Sequence, residues 1–414
     1  MGKTTILSAV LIMVLLPAIS FGITLQQFVI DGRYFYGSPN DRISGVATDG
    51  HNLYLLNHSD SLFVYVLDSS GLPTVRVGAC AAPYMQQLYL KNTTLIGMGG
   101  VNIWAGYQIF DVSNASAPVM DYNYYGADII PHVKIYDNKL YAPTYNDFYE
   151  GSLNTFDISN PHNPVLINFC RALDGSGGFD FDKKGTIGYV SDQGFVLPAI
   201  LDMTDPAHVI IAGHLPYVST AIKVYGHCLV TAGTAIGGGP LRIYNISDPL
   251  NPVLLETANI LPNYIVDIQI VTGLMYSLSW YGDINVTRVG GSAPPESLAA
   301  ANIPWSDQVW NMYFPQMACV GNKVYYASGD SGLYVLEYTG EMPMPPGDAN
   351  SSGDINGIDV IYLANYFKGW GPPPAEPLEC DTNGDCIFNG LDETYLVNYL
   401  KGGPAPIRGI CYTP

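Results

Sequence analysis

Along most of the chain, polar turns alternate with short apolar stretches that have the length of a β-strand. The turns contain Asp, Asn, Gly or Lys, which favour a change of chain direction. Seven of the apolar stretches begin in the same way after such a turn, at Leu53, Leu95, Leu140, Ile187, Leu229, Leu274 and Val324. Their mean spacing is about 45 residues, the length of one four-stranded blade. The pattern therefore predicts a mainly β fold, a seven-bladed β-propeller.

A second motif ends a strand in four of the repeats, with the sequences FDVS (110–113), FDISNP (156–161), LDMTDP (201–206) and YNISDP (244–249). Asp, Asn and Ser side chains can bond nearby backbone groups in a turn, and Pro ends the pairing of a strand. We interpret the motif as architectural, a turn toward the outer strand of each blade.

These units, with a second proline at Pro164 and Pro252, resemble the LVIVD repeats of bacterial surface proteins. The resemblance extends over about residues 24–340 and is clearest in blades 2 to 5. It implies a β-propeller over residues 23–338 and a location at the cell surface. It implies no reaction, because propellers host unrelated functions.

The seventh blade lacks a fourth strand within its own repeat. Its last apolar stretch, Leu333–Tyr338, is followed by residues 339–346, which contain Pro and Met and which we interpret as a linker. Residues 25–30 precede the first blade and alternate like a strand. We expect them to pair with Leu333–Tyr338 and close the ring, because closure removes exposed strand edges.

After the linker, two similar segments each precede a helical pattern of apolar residues: DANSSGDINGID (348–359) and DTNGDCIFNGLD (381–392). Oxygen-bearing side chains stand at positions 1, 3, 5, 9 and 12 of each segment, and the main-chain carbonyl at position 7 can complete the set. This spacing lets one loop wrap a hard cation, so we predict two Ca²⁺ sites. The candidate ligands are Asp348, Asn350, Ser352, Asp354, Asn356 and Asp359, and then Asp381, Asn383, Asp385, Ile387, Asn389 and Asp392, with Asp354 and Ile387 offering carbonyl oxygens.

This duplicated loop and helix resembles a type I dockerin over residues 347 to about 403. The resemblance implies that residues 347–414 form a calcium-binding module whose partner is a cohesin-like scaffold protein. Partner recognition in that family falls at loop positions 10 and 11, here Gly357 and Ile358 in the first loop and Gly390 and Leu391 in the second. Because the two pairs nearly match, we expect two near-equivalent partner faces.

Two positions depart from the dockerin pattern. Ser352 replaces an acidic residue, which lowers the charge of the first loop. Cys386 stands at position 6, where Gly normally permits a sharp turn, so the second loop is either strained or tied to Cys380 or Cys411. We expect a disulfide within this C-terminal cysteine cluster, because a small module with little core gains most from a crosslink.

Charge and targeting signals limit the choice of partners. The net charge is -19 with 17 Lys plus Arg, which disfavours nucleic acid as a partner. A positive residue, an apolar run and small residues near position 22 predict a signal peptide over residues 1–22 and a secreted or cell-surface protein. After the predicted signal peptide, the sequence contains no apolar run of about 18 residues. It therefore predicts no membrane span in the mature chain.

The inner strands show no ring of catalytic or metal-binding residues. Asp180 and Asp267 interrupt an apolar column of the aligned repeats, and Lys134 and Lys223 stand in the next column. We favour hydrogen bonds or ion pairs between blades, because buried charges need partners. A channel site for a cation or a sugar is the alternative. His132 is interpreted as a hydrogen-bonded structural histidine.

The motifs of hydrolases, zinc proteases and phosphate-binding loops are missing from the sequence. We therefore favour a non-enzymatic propeller, an interaction or structural domain displayed through the C-terminal module. The alternative is a propeller that binds or degrades polysaccharide. Aromatic residues that could stack on sugar rings are Trp104, Trp280, Tyr281, Trp305 and Trp310.

Overall fold

The computed structural model describes residues 28–34, 42–57, 60–99, 106–126, 130–145, 151–173, 178–192, 196–233, 239–262, 264–303 and 315–411. The predicted signal peptide (residues 1–22) lies outside the described residues, and so do Trp104, Trp305 and Trp310. Within the described part, no helix has the length and apolar character required to cross a membrane.

The described chain forms 28 strands. In order they are β1 (Phe28–Tyr34), β2 (Ile43–Thr48), β3 (Asn52–Asn57), β4 (Ser61–Leu67), β5 (Pro73–Ala81), β6 (Gln87–Lys91), β7 (Thr94–Gly99), β8 (Gly106–Asp111), β9 (Val119–Tyr125), β10 (Lys134–Tyr136), β11 (Lys139–Tyr145), β12 (Gly151–Asp157), β13 (Val165–Leu173), β14 (Phe181–Lys184), β15 (Ile187–Val190), β16 (Ala199–Asp202), β17 (Ile210–His214), β18 (Ala221–Tyr225), β19 (Cys228–Ala232), β20 (Leu241–Asn245), β21 (Val253–Ala258), β22 (Ile265–Val271), β23 (Leu274–Ser279), β24 (Asp283–Arg288), β25 (Glu296–Asn302), β26 (Gln316–Val320), β27 (Lys323–Ala327) and β28 (Leu333–Tyr338).

The strands group into seven four-stranded sheets, each of which is one blade. Blades 1 to 6 take four consecutive strands each, from β2 to β5 in blade 1 through to β22 to β25 in blade 6. Blade 7 has the order β1-β28-β27-β26, so the first strand of the chain is its outer strand. The predicted seven-bladed propeller is confirmed.

The ring is closed by antiparallel pairing of β1 with β28. Phe28 lies opposite Tyr338 and Ile30 opposite Leu336, as the sequence predicts for residues 28–30. The pairing continues past a bulge between Ile30 and Gly32 and reaches Tyr34, so β1 is longer than the predicted strand. The extra residue of a bulge lets a strand bend without leaving its partner.

Neighbouring blades are held together by apolar side chains and by tyrosine hydroxyls. Leu53 and Leu55 of blade 1, for example, share one core cluster with Val335 of blade 7. Tyr325 of blade 7 also donates a hydrogen bond to the carbonyl of Gly71 in blade 1 (2.7 Å). Each blade therefore buries its strand faces against the next blade, as in other closed propellers.

The motif at the end of the third strand makes a turn of the expected kind. In all four copies, the first Asp or Asn accepts a hydrogen bond from the backbone N–H two residues later: Ser113 to Asp111 (2.8 Å), Ser159 to Asp157 (2.8 Å), Thr204 to Asp202 (2.9 Å) and Ser247 to Asn245 (2.8 Å). These bonds satisfy backbone groups at the turn into the outer strand, which agrees with the architectural interpretation.

The C-terminal module contains α1 (Gly357–Phe367), a short 3-10 helix (Pro377–Cys380) and α2 (Gly390–Leu400). Its core is small, with only four hydrophobic residues buried in one cluster: Ala349, Leu363, Cys380 and Leu396. A module with so few buried side chains gains little free energy from apolar burial and needs other sources of stability.

Candidate metal centre and docking surface

Each loop of the C-terminal module ends in the first turn of a helix. Asn356 is the N-cap of α1, and its side-chain oxygen accepts a hydrogen bond from Ile358 N (2.8 Å). Asp359 accepts one from Asn356 N in return (2.8 Å). Asn389 and Asp392 repeat this capping box at α2, where Asn389 N donates to Asp392 (2.8 Å). The carboxylates at position 12 are therefore fixed by the helix start.

The aspartates at position 1 are wrapped by the loops that follow them. Asp348 accepts hydrogen bonds from the backbone N–H groups of Ser352 (2.8 Å) and Gly353 (2.6 Å). Asp381 does the same with Asp385 N (3.1 Å) and Cys386 N (2.7 Å). Each loop thus folds back so that its middle residues donate to the carboxylate at position 1.

Four carboxylates are buried in this small module: Asp348, Asp359, Asp381 and Asp392, each at most 1% exposed. Within the described part of the chain, no Lys or Arg forms an ion pair with any of them. Burial raises the pKa of Asp381 to about 6, and the nearby Asp392 and Asp385 add to the rise. Burial also raises the pKa of Asp392. Buried carboxylates without an ion-pair partner fit a hard cation such as Ca²⁺.

Several of the other predicted ligands make hydrogen bonds inside their loops. Asn350 and Asn383, at position 3, accept from the N–H groups of Ser352 (2.9 Å) and Asp385 (2.8 Å). The Ser352 hydroxyl donates to Asp354 O (3.2 Å), while the Asp354 side chain is exposed. The side chain of Asn389 donates to the carbonyl of Ile387 (3.0 Å). Positions 3, 5 and 7 therefore gather on the same side of the loop as the position-1 carboxylate.

Cys386 has a left-handed backbone conformation, with φ of 66°, at the position where Gly353 of the first loop has φ of 92°. It forms a disulfide with Cys411. The expected disulfide within the C-terminal cluster is thus confirmed, with Cys411 as the partner. Cys380 is free and buried, and burial raises the pKa of its thiol to about 12.

The residues at positions 10 and 11 lie at the start of each helix and face solvent. Ile358 is 62% exposed and Leu391 is 63% exposed. Beside them, Gly357 and Gly390 have no atom of another described residue within 4 Å of the place where a Cβ would stand. Both halves therefore present an exposed aliphatic side chain next to an open stretch of backbone.

Comparison with known families gives two matches. The family model of the dockerin type I domain matches residues 346–401, and that of the LVIVD repeat matches residues 101–125 and 148–171, in blades 2 and 3. The C-terminal module is a type I dockerin. Dockerins of this type bind calcium, pair with cohesin domains and occur in extracellular proteins.

Solved structures agree on the fold of the larger part. The WD40 β-propeller domain of Doa1 is 11% identical, with a TM-score of 0.53 over 76% of this chain and 97% of that one. BamB from Moraxella catarrhalis is 12% identical, with a TM-score of 0.46 over 73% of this chain and 84% of that one. No curated protein matches the chain. At 11% identity, the comparison with Doa1 shows only that the architecture is a propeller.

The dockerin packs against blades 5 and 6 through residues 403–411, which we call the C-terminal strap. Gly291 N donates to Gly409 O, and Cys411 N donates to Gly291 O (both 2.8 Å). Ile410 is buried in the core cluster shared by blades 5 and 6. Arg408 N donates to the Tyr225 hydroxyl (3.2 Å). Sequence reasoning missed this contact, although an apolar residue beside the last cysteine is a local signal for it.

The side chain of Arg408 joins three segments. Its guanidinium forms an ion pair with Glu379 of the dockerin and donates to Met344 O in the linker (3.2 Å). Both charged side chains are largely buried. The linker, the dockerin and the strap therefore meet at one side chain.

In the propeller channel, carboxylates of blade 4 bind the backbone of blade 5. Asp180 accepts hydrogen bonds from Phe181 N (2.8 Å) and Ile222 N (2.9 Å). Asp182 accepts from Val224 N (2.9 Å) and forms an ion pair with Lys223 (3.5 Å). Sequence reasoning missed Asp182, although it stands two residues after Asp180, the spacing that puts side chains on one face of a strand.

The other channel residues are less fully paired. Asp267 accepts from the Gln269 side chain (3.3 Å), not from a lysine or a backbone donor as expected. Lys134 lies over the Tyr89 ring, with its ammonium 5.3 Å from the centroid. His132 was expected to be hydrogen-bonded, but its Nε2 is buried and has no partner within the described chain. Its ring packs against Phe179, with the centroids 5.5 Å apart.

Proposed function

We propose that this protein is exported and held on a cohesin-bearing scaffold by its dockerin, so that the β-propeller is displayed outside the cell. The observation that carries this proposal is the matched pair of exposed residues, Ile358 and Leu391, each next to a loop with two buried aspartates. A partner can reach both aliphatic side chains without rearrangement of the module. The predicted signal peptide supports the location.

We further propose that each loop holds one Ca²⁺. In the first loop Asp348 and Asp359 would supply carboxylates, Asn350 and Ser352 side-chain oxygens, and Asp354 its carbonyl. The second loop would use the matching set, Asp381, Asn383, Asp385, Ile387 and Asp392. Asn356 and Asn389 cap the helices, so we assign them a contact through water. Bound calcium neutralises the buried carboxylates, and its binding free energy becomes folding free energy.

Calorimetric titration of the full chain with Ca²⁺ tests these assignments. We expect two sites in the unmodified protein and the loss of one in Asp348→Asn or Asp381→Asn, because each removes a buried carboxylate. Asp354→Asn is the matched control, since only the main-chain carbonyl of that residue is assigned to the metal. A chain that binds two ions with both position-1 aspartates replaced would contradict the assignment.

Two near-equivalent partner faces require a different test. Binding of a type I cohesin in calcium should change little in Ile358→Arg or in Leu391→Arg, because the other face stays intact. The double variant should lose binding, since both faces then carry a charge in place of an aliphatic contact. Val253→Arg serves as the control, because Val253 is similarly exposed, at 62%, but lies on the propeller. A single variant as weak as the double would show that only one face is used.

For the propeller we propose an interaction or structural role. This is supported by the use of Asp180 and Asp182 in bonds between blades, which leaves them committed to the fold. The alternative is binding or degradation of polysaccharide. A glycan array and a hydrolysis screen with the full chain distinguish them, because release of sugar from any polysaccharide would establish the enzymatic alternative.

A further inference from the structure

The propeller channel contains a cavity of about 320 Å³ between the inner strands. This volume is at the lower end of the range for small-molecule sites, which suits a single small ring. Its lining combines polar side chains with apolar residues from five of the blades: Val46, Leu88, Val133, Ile268 and Met317. Ligand sites usually join apolar surface to a small number of placed polar groups.

Three polar side chains on this wall have unused hydrogen-bonding capacity. The Lys134 ammonium makes no hydrogen bond or close ion pair with any described residue; it lies over the Tyr89 ring and interacts at longer range with the carboxylates of the channel. Asp267 has a single side-chain partner, Gln269, at 3.3 Å. His132 Nε2 is buried without a partner in the described chain. Half-buried polar groups with unused hydrogen-bonding capacity normally bind water or a ligand.

The other charged and amide side chains of the channel wall are already engaged. Lys223 is paired with Asp182 (3.5 Å). The Gln269 amide donates to Met317 O (2.7 Å), and the Gln316 amide oxygen accepts from Val46 N (2.9 Å). Among the charged, amide and imidazole groups of the wall, Lys134, Asp267 and His132 therefore remain available to a ligand.

The chemistry of these three residues selects the ligand. One cation and one anion face the cavity together, so they offer no net charge to attract an ion. A hydroxyl group can accept from Lys134 and donate to Asp267, and it can pair with either tautomer of histidine. A charged ligand would have to lose its hydration on entering the cavity, which costs far more than the desolvation of a hydroxyl.

We propose that the channel cavity binds one small uncharged molecule with several hydroxyl groups, of the size of a monosaccharide, through Lys134, Asp267 and His132. This site is separate from the docking function and does not depend on it. Among the described residues, none of the dockerin lines the cavity.

Titration calorimetry of the full chain in calcium tests the site with glucose, galactose, mannose and inositol. Glucuronate, which is negatively charged, and glucosamine, which is positively charged, serve as the charged counterparts of glucose. We expect saturable binding of at least one uncharged probe with a stoichiometry of one, and weaker binding of its charged counterparts. Lys134→Met and Asp267→Asn should each lower the affinity about tenfold or more, because each removes a hydrogen bond to a charged group. Lys91→Met is the control, since Lys91 ends the inner strand of blade 2 but is exposed and lies outside the cavity.

Cysteine labelling of the unmodified chain tests the site without any variant, and so does not depend on whether the variants fold. Cys319 is a free cysteine on the cavity wall, whereas Cys80 is free and distant from it. A bound probe should slow maleimide labelling of Cys319 and leave Cys80 unaffected. The proposal is overturned if no uncharged probe binds at millimolar concentration, if affinity is unchanged in both variants, or if Cys319 is not protected. Cohesin binding, measured in parallel, reports separately on the docking function.

Discussion

Cys386 of the second dockerin loop is disulfide-bonded to Cys411, whose backbone N–H donates to Gly291 O in blade 6 (2.8 Å). A covalent bond followed by a hydrogen bond thus connects the loop to the propeller. The backbone of Cys386 is left-handed, with φ of 66°, a conformation that is unfavourable for residues other than Gly. The disulfide holds this turn in place and fixes the strap at the same time.

We expect Cys411→Ser to destabilise the dockerin by about 2–4 kcal/mol, because the unfolded chain loses a crosslink. Scanning calorimetry of the full chain in calcium measures the effect as a lower transition temperature for the module. Cys80→Ser is the control, since Cys80 is a free cysteine in blade 1. An unchanged transition after reduction of the disulfide would show that the bond adds nothing to stability.

Arg408→Met should separate the dockerin from the propeller. The substitution leaves the largely buried Glu379 without its partner, which costs about 3 kcal/mol, and removes the hydrogen bond to Met344 O. Faster proteolysis in residues 339–346 and a larger radius of gyration in solution scattering would report the separation. The exchanged pair, Arg408→Glu with Glu379→Arg, should restore part of the contact. A compact, protease-resistant Arg408→Met chain would contradict the prediction.

Asp182→Asn should lower the free energy of unfolding by about 2 kcal/mol at neutral pH, because a charged partner of Lys223 is lost. Burial opposes ionisation of Asp182, but Lys223, Lys134 and the Tyr136 hydroxyl outweigh it and hold its pKa below the ordinary value. A lowered pKa in the folded state means that the carboxylate stabilises the fold above about pH 4 and loses this effect at lower pH. The difference between the two chains should therefore shrink in acid denaturation below about pH 4. A constant difference over this range would exclude the charge as its cause.

Asp267→Asn, unlike Asp182→Asn, should not lower the free energy of unfolding at neutral pH. Burial raises the pKa of Asp267 by more than His132 and Lys134 lower it. The ionised carboxyl therefore opposes folding at neutral pH, and stability increases as the pH falls toward the raised pKa. We expect the amide variant to unfold at an unchanged or slightly higher temperature, within about 0.5 kcal/mol of the unmodified chain. A loss as large as that of Asp182→Asn would mean that Asp267 has a strong ionic partner.

Deletion of residues 28–34 should cost several kcal/mol and promote association, because β28 then presents an unpaired edge. Thermal unfolding and light scattering measure the two effects. A peptide with the sequence of β1, added in trans, should restore part of the stability, whereas a scrambled peptide should not. Equal stability of the shortened chain would show that the ring is held closed by other contacts.

The sequence by itself determined the features that depend on local spacing. Seven repeats of about 45 residues predicted seven blades, because nearly every blade is built from strands that follow one another in the sequence. Regular spacing of Asp348 to Asp359, and of Asp381 to Asp392, placed oxygen atoms around each loop because one turn of chain brings those positions together.

Only the tertiary structure decided which distant residues meet. Lys223 pairs with Asp182 from the neighbouring blade, whereas His132 Nε2 has no partner among the described residues. Both results depend on how the sheets pack around the channel. Cys386 could have paired with Cys380 or Cys411, and the choice follows from the path of the strap across blade 6. Strand spacing is set by the local backbone, whereas contacts between blades depend on the packing of whole sheets, which no short stretch of sequence encodes.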